Sequence, residues 1–192
     1  ATHHANEDLA LMRVLPNLKI LAPSNPDELK AAVQIAIAHQ GPVYIRCVRD
    51  AVPNLPAKET VQMGKAVVVE DDGDDFALIY EGSATELAFK SFAACREKGK
   101  KGKLINLFSI KPVDRDLIRQ TAGTVKRIVT IENHSVIGGL GGLIAETVCD
   151  IPGHAPVLRV GVEDVFTESG PSGLVKEKYG LNVEHVLGKL GD

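Results

Sequence analysis

Short apolar segments alternate with helical patterns along most of this 192-residue chain. Helical patterns at 83–98, 114–122 and 140–149 separate strand-like segments at 76–82, 103–110, 127–132 and 157–162. Such alternation predicts an α/β fold with a mostly parallel sheet between two layers of helices, because parallel neighbours need a crossover connection. The apolar segment at 66–70 and the next strand flank an Asp-Gly turn. They predict a hairpin that adds one antiparallel edge strand.

The first 50 residues form a smaller α/β pattern. A strand at 19–23, a helix that begins near Asn25 and a buried strand at 43–48 predict a partial α/β unit. Prolines and weak periodicity follow. We therefore expect a first part at 1–55, a linker at 56–64 and a second domain at 65–192.

Composition excludes several classes of function. The net charge of −3 gives no reason to expect nucleic acid or an anionic membrane as a partner. No apolar run is long enough to span a bilayer, and the three separated cysteines are typical of a reduced, cytoplasmic protein. The six histidines form no zinc pattern. Because the sequence enters patterned structure at Ala1 without an initiator Met, we expect it to be cut from a longer protein.

Four glycines lie in five positions between a strand and a helix, at Gly138, Gly139, Gly141 and Gly142. A dinucleotide fingerprint would need a third glycine where Ile144 stands, so that pattern fails. A tight turn with close helix packing and an anion site at the helix start both remain open.

Two arginines, Arg46 and Arg49, lie at or just after the end of the strand at 43–48. Ligands of open α/β sheets lie beyond the carboxyl ends of strands, and a guanidinium suits a phosphate. The alternative is an ion pair with Asp50 or another acid.

Five stretches resemble, in order, the transketolase family of thiamine-diphosphate enzymes. They are THHANEDLALMRVLPNLKILAPSNPDE (2–28), GPVYIRCVRDAVP (41–53), FSIKPVDRDLI (108–118), TIENHSVIGGLGGLIAE (130–146) and SGPSGLVKEKYGLNVEHVL (169–187). The resemblance covers nearly the whole chain. It implies that residues 1–55 are the end of a pyrimidine-binding domain and that 65–192 are the C-terminal domain.

The resemblance implies a function for the complete protein. A transketolase transfers a two-carbon ketol unit between sugar phosphates in the pentose phosphate pathway, as a homodimer with thiamine diphosphate and Mg²⁺. The cofactor-clamping segments are missing here, so we expect this fragment to be inactive and to bind no cofactor or metal. Its expected partners are sugar phosphates and the missing N-terminal domains or subunit.

The resemblance also assigns site residues. His3 would hydrogen-bond substrate oxygens and Arg49 would hold the sugar phosphate, while Arg13 and Arg46 are weaker candidates. Asp50 stands where the family commonly has Gln. The glycine run and His134 belong to turn and packing in this interpretation, outside the site.

Three other functions stay open. A 1-deoxyxylulose-5-phosphate synthase shares the scaffold, and the pair Arg46 and Arg49 suits it. The chain could also be a non-catalytic assembly subunit of a split transketolase. A 2-oxoacid dehydrogenase beta component is a more distant alternative. In each case we expect residues 1–50 to be less ordered than the rest, or to self-associate, because most of their sheet is missing.

Overall fold

The structure is a computed structural model that describes residues 4–48, 52 and 60–191. Its strands are β1 (Lys19–Leu21), β2 (Val43–Ile45), β3 (Val67–Asp71), β4 (Phe76–Tyr80), β5 (Gly102–Asn106), β6 (Ser109–Lys111), β7 (Ile128–Ser135) and β8 (Val157–Val162). Its helices are α1 (Asp8–Arg13), α2 (Pro26–Ala38), α3 (Thr85–Glu97), α4 (Arg115–Thr124), α5 (Leu140–Val148), α6 (Ser172–Lys178) and α7 (Val183–Leu190).

The main sheet has the order β3-β5-β4-β7-β8. Strands β5, β4, β7 and β8 are parallel, and β3 lies antiparallel at the edge. Every residue of β4 is buried, as a strand covered on both faces requires. The predicted α/β fold with one antiparallel edge strand is therefore confirmed.

The predicted hairpin between β3 and β4 is wrong, because β5 lies between them. The acidic turn crosses the start of β5 instead. Asp75 accepts a hydrogen bond from the amide of Lys101 at 3.0 Å, and Asp72 accepts one from the amide of Gly102 at 2.7 Å. The turn residues therefore bind the incoming strand, an arrangement that local turn chemistry does not reveal.

A second sheet, of order β2-β1-β6, joins the first 48 residues to the rest. Strand β1 is parallel to β2 and antiparallel to β6. The predicted single strand at 103–110 divides into β5 and β6, because the chain leaves the main sheet after Asn106. There the amide of Leu107 donates to Tyr80 and the carbonyl of Phe108 accepts from Ala22.

The two parts of the chain share one hydrophobic core. Leu9 and Ile20 are fully buried in the cluster that holds Ile79 and Leu140. The outer side of α2 is different. Its apolar side chains Leu29, Val33 and Ile37 are 37%, 43% and 81% exposed, whereas Ala32 is buried.

No helix within the described ranges is long and apolar enough to cross a membrane.

Candidate functional site

Two of the four predicted site residues, His3 and Arg49, lie outside the described residues. The other two, Arg13 and Arg46, point toward the second part of the chain. The guanidinium groups of both arginines donate hydrogen bonds to acceptors within the protein.

Arg46 lies just after β2, with a side chain only 9% exposed. Within the described residues all five of its N–H groups have acceptors at 2.7–3.2 Å. The acceptors are the carboxylates of Asp8 and Glu81, the hydroxyl of Ser83, and the main-chain carbonyls of Ala5 and Asn133. No donor is left for a phosphate in this arrangement, so Arg46 has the contacts of a buried clamp.

We call Asp8, Arg46, Glu81, Glu132 and His134 the buried ionic cluster. Burial alone would raise the pKa of Asp8, but the hydrogen bond and charge of Arg46 outweigh it and hold that pKa below its usual value. Burial would lower the pKa of Arg46, yet the charges of Glu81 and Asp8 raise it overall. The Asp8–Arg46 pair therefore stays charged at neutral pH, and the ion pairs of Arg46 join residues from both parts of the chain.

Tyr44 extends this cluster at its edge. Its hydroxyl donates to Asp8 at 2.8 Å. Burial, followed by the hydrogen bond and charge of Asp8, raises the pKa of Tyr44 to about 12. The phenol is therefore a donor at any physiological pH.

His134 is fully buried on β7 and belongs to the cluster, although the sequence placed it outside the site. Its Nδ1 lies 2.7 Å from the carbonyl of Ser135, so Nδ1 carries the proton. Its Nε2 accepts a hydrogen bond from the amide of Ala10 at 3.4 Å. Burial lowers the pKa of this imidazole. His134 is thus a neutral bridge between β7 and α1.

The glycine run forms a turn before α5, and the side chain of Glu132 occupies the start of that helix. Glu132 accepts hydrogen bonds from the amides of Leu140 at 2.5 Å and Gly141 at 2.9 Å. A Cβ at Gly139 would lie 2.0 Å from Oε2 of Glu132 and 2.4 Å from Nδ1 of His134. The glycine at that position makes room for the carboxylate, which takes the place an external anion would need.

Glu132 is itself an unusual acid. It is fully buried, and desolvation raises its pKa to about 7 although the two amide hydrogen bonds oppose this. The nearby charge of Glu81 raises the pKa further, and Arg46 lowers it. Near neutral pH this carboxyl group therefore exchanges a proton inside the fold.

Arg13 binds the glycine run from the opposite side. Its Nη1 donates to the carbonyls of Gly138 at 2.6 Å and Gly139 at 3.2 Å, and its Nη2 pairs with Glu146. Its side chain is 13% exposed. These contacts fasten the end of α1 to the start of α5.

The residues at 83–86, Ser-Ala-Thr-Glu, have the spacing of a capping box at the start of α3. The structure shows a 3₁₀ turn at Gly82–Ala84 instead, and no side chain caps α3. Ser83 donates to Glu81, while Glu86 pairs with Lys90 on the surface. The hydroxyl of Ser83 bonds to Glu81 because the buried carboxylate two residues earlier is the stronger acceptor.

A crevice of 390 Å³ opens where the strand order reverses, between the carboxyl ends of β4 and β7. Ligands of open α/β sheets bind at such switch points. Its lining includes Ser83, Thr85, Asn133, Val48 and Val52. In the sequence the two valines stand on either side of Arg49, the predicted phosphate residue.

A metal centre is not evident in the part of the chain that the structure describes. No group of three or more His, Cys, Asp or Glu side chains there is arranged to hold an ion.

Sequence reasoning missed the role of Glu81, Glu132 and His134. A usable signal was present, because Glu81 and Glu132 each follow a strongly apolar strand segment. Residues at the carboxyl ends of neighbouring parallel strands meet at one edge of the sheet. The sequence does not show that β4 and β7 are neighbours in the sheet, and the prediction needed that fact.

Comparison with known proteins matches two family models in order. Residues 64–186 match the C-terminal domain of transketolase, and residues 1–54 match the pyrimidine-binding domain of transketolase.

Two curated relatives are informative. A putative transketolase C-terminal section of Methanocaldococcus jannaschii is 31% identical over 99% of this chain and 60% of its own length. A 1-deoxy-D-xylulose-5-phosphate synthase of Methylacidiphilum infernorum is 35% identical over 97% of this chain and 30% of its own length.

A solved structure described as a split gene transketolase, inactive beta4 tetramer, is 37% identical. It superposes with a TM-score of 0.91 over 99% of this chain and 64% of the other. The chain therefore spans less than two thirds of each of these proteins.

Proposed function

This chain belongs to the transketolase family, and on that premise we propose that it is the C-terminal part of a transketolase. The complete enzyme would transfer a two-carbon ketol unit between sugar phosphates of the pentose phosphate pathway. The observation that carries the proposal is the superposition on the split gene transketolase, with a TM-score of 0.91 at 37% identity. Two family models matched in sequence order support it further.

We propose that residues 1–55 are the end of the pyrimidine-binding domain, 56–64 the linker and 65–192 the C-terminal domain. The matched ranges of the family models support this division. The shared core and the second sheet indicate that the two parts form one packed unit. Such an interface supports a fixed geometry between them.

The family's domains imply that complete enzymes depend on thiamine diphosphate. The described residues do not fit this cofactor with Mg²⁺, because they offer no cluster of metal ligands and Glu132 occupies the start of α5. We therefore propose that other domains or a partner subunit bind thiamine diphosphate and Mg²⁺, and that this chain alone binds neither.

For the substrate we propose two contacts. Arg49 would hold the sugar phosphate through its planar fork, and His3 would hydrogen-bond oxygens of the sugar. The saturated donors of Arg46 and the carbonyl contacts of Arg13 support a structural role for those two residues instead.

We propose that the complete protein is a cytoplasmic homodimer and that this chain is inactive without its missing N-terminal domains or subunit. The exposed stripe of Leu29, Val33 and Ile37 on α2 supports a covering partner, because apolar faces of this kind are normally buried. An assembly subunit without catalytic residues of its own is the corresponding non-catalytic alternative.

A 1-deoxy-D-xylulose-5-phosphate synthase is the second candidate. The relative from Methylacidiphilum infernorum, 35% identical, favours it. The two enzymes differ in donor, since a transketolase takes a ketose phosphate and the synthase takes pyruvate.

The test is a donor assay on the complete protein, assembled from this chain and its N-terminal part. A transketolase will release an aldose phosphate from a ketose phosphate donor and will not consume pyruvate. Consumption of pyruvate with release of CO₂ would refute the main proposal in favour of the synthase. Turnover of neither donor would refute both enzyme assignments.

A further inference from the structure

We propose that the loop between β8 and α6 is a docking surface for the missing N-terminal domains or subunit. Phe166 would enter an apolar pocket of that partner. Basic side chains at the rim of the pocket would face the carboxylates of Glu7, Glu163 and Asp164. The inference rests on the proposed function, because it needs a partner that completes the protein.

The two large apolar side chains of this loop face the solvent. Phe166 is 99% exposed and Val165 is 53% exposed. A phenylalanine ring left in water lacks the stabilisation that burial of its large apolar area would give. Aromatic side chains are also enriched at protein interfaces, where a few of them supply much of the binding energy. Phe166 therefore has the position of an anchor residue for a partner.

Hydrogen bonds hold the loop that presents the ring of Phe166. The carbonyl of Phe166 accepts from the hydroxyl of Tyr179 at 3.5 Å. The hydroxyl of the next residue, Thr167, accepts from Nδ2 of Asn6 at 3.0 Å and lies 3.2 Å from Nδ1 of His4. An anchor on a loop that is already held loses little conformational freedom on binding, which favours affinity.

A notch of 250 Å³ separates this loop from the segment before α1. Its lining includes the exposed acids Glu7, Glu163 and Asp164. Among the described residues none of these three carboxylates forms an ion pair, whereas Glu168 in the same loop pairs with Lys178. Like charges at one notch repel one another, and a cationic group of a partner would relieve that repulsion.

The notch suits a basic side chain better than a metal ion. No group of three or more His, Cys, Asp or Glu side chains within the described ranges is arranged to hold an ion. A lysine or arginine needs no such convergence of ligands, because its charge lies at the end of a long stem and several separate acceptors can share it. Complementary charges would also select one orientation of the partner. The partner is therefore expected to present Lys or Arg beside its apolar pocket.

The docking surface continues the joint between the two parts of the chain. The amide of Ser135 donates to the carbonyl of Asn6 at 2.7 Å, and Asn6 also binds the loop through Thr167. Ser135 and Val162 end the neighbouring strands β7 and β8, and both line the notch. A partner that docks here would contact both parts of the chain at once. The relatives extend beyond the share of their length that this chain spans, so they contain further chain to form such a partner.

The experiment measures binding of this chain to its N-terminal part by isothermal titration calorimetry, at low and at high salt. Phe166→Ala removes the ring, and Asp164→Lys reverses one charge of the notch. The matched controls are Leu174→Ala, at an exposed apolar position on α6, and Glu97→Lys, at an exposed acid that ends α3. Neither control residue lines the notch. All four side chains are exposed, so urea unfolding should show that each variant is as stable as the wild type.

We expect Phe166→Ala and Asp164→Lys each to weaken binding about tenfold at low salt, and both controls to bind within about twofold of the wild type. High salt should weaken binding of the wild type and should affect Asp164→Lys much less, because salt screens an attraction that this variant has lost. If either surface variant binds as tightly as its control, the proposal is overturned.

The wild type separates this inference from the proposed function. Absence of binding between the wild-type chain and its N-terminal part would refute the proposed function, and the docking surface with it. Tight wild-type binding that the two surface substitutions do not weaken would leave the proposed function standing and would overturn the docking surface alone.

Discussion

Glu132 gives the sharpest test of the buried ionic cluster, through the pH dependence of stability. Desolvation raises the pKa of Glu132 from 4.5 to about 7 in the folded chain. The folded state then binds the proton more tightly than the unfolded state does. The resulting stabilisation is complete below pH 4.5 and is lost as the pH rises through 7.

The magnitude follows from these two pKa values. Between pH 5 and pH 8 the free energy of unfolding should fall by about 2.5 kcal/mol through this group, at 1.36 kcal/mol for each pKa unit. The substitution Glu132→Gln removes the titration but keeps the size of the side chain. Its free energy of unfolding should therefore lack this fall, so that the variant gains on the wild type as the pH rises.

The other groups that face Glu132 remain in both proteins and largely cancel in the comparison. They are His134, with Nδ1 at 3.7 Å from Oε2 of Glu132, and the charges of Glu81 and Arg46. His134 has a lowered pKa, so it contributes stability above its unfolded pKa that is lost as the pH falls. That dependence is opposite in sign to the one predicted for Glu132.

The assay is urea unfolding of this chain and of Glu132→Gln at pH 5 and pH 8, followed by far-UV circular dichroism. A difference between the two proteins that changes by less than about 0.5 kcal/mol over this interval, or that changes in the opposite direction, would refute the reasoning.

Two further predictions concern the glycine run and α1. Gly139→Ala should lower the free energy of unfolding by about 1–3 kcal/mol or more, because its Cβ would overlap Glu132. Gly142→Ala is the matched control inside α5, where the nearest atom is 3.8 Å away, and it should raise stability by about 0.5 kcal/mol. Arg13→Ala should lower stability by about 2 kcal/mol through its lost carbonyl contacts, whereas Lys30→Ala, from an exposed pair, should change it by less than about 0.5 kcal/mol. Thermal and urea unfolding check all four, and equal effects within either pair would contradict the packing described.

Much of the fold could be predicted from the sequence, because strands and helices of α/β proteins carry local periodicity. The apolar strand at 76–80 and the capped start of α2 at Asn25 were both visible that way. The hairpin failed for a physical reason. A turn is a local choice, whereas the neighbour of a strand is a tertiary one, and β5 takes the place between β3 and β4.

The candidate site was predictable only in part. Position at the end of a strand singled out Arg46, but its partners Asp8 and Glu81 lie 38 and 35 residues away in sequence. Nothing local indicates that they meet. The apolar residues Leu29, Val33 and Ile37 on α2 are spaced in the sequence like one face of a helix, but no layer among the described residues covers them.

The most direct test of the whole account is calorimetric titration with thiamine diphosphate and Mg²⁺. The chain alone should give no binding heat, since its described residues offer no metal cluster and Glu132 occupies the start of α5. The chain mixed with its N-terminal part should bind the cofactor more tightly than that part does by itself. Tight binding to the chain alone would contradict the account and would return the glycine run at 138–142 as an anion site. Equal binding with and without the chain would show that it does not complete a cofactor site.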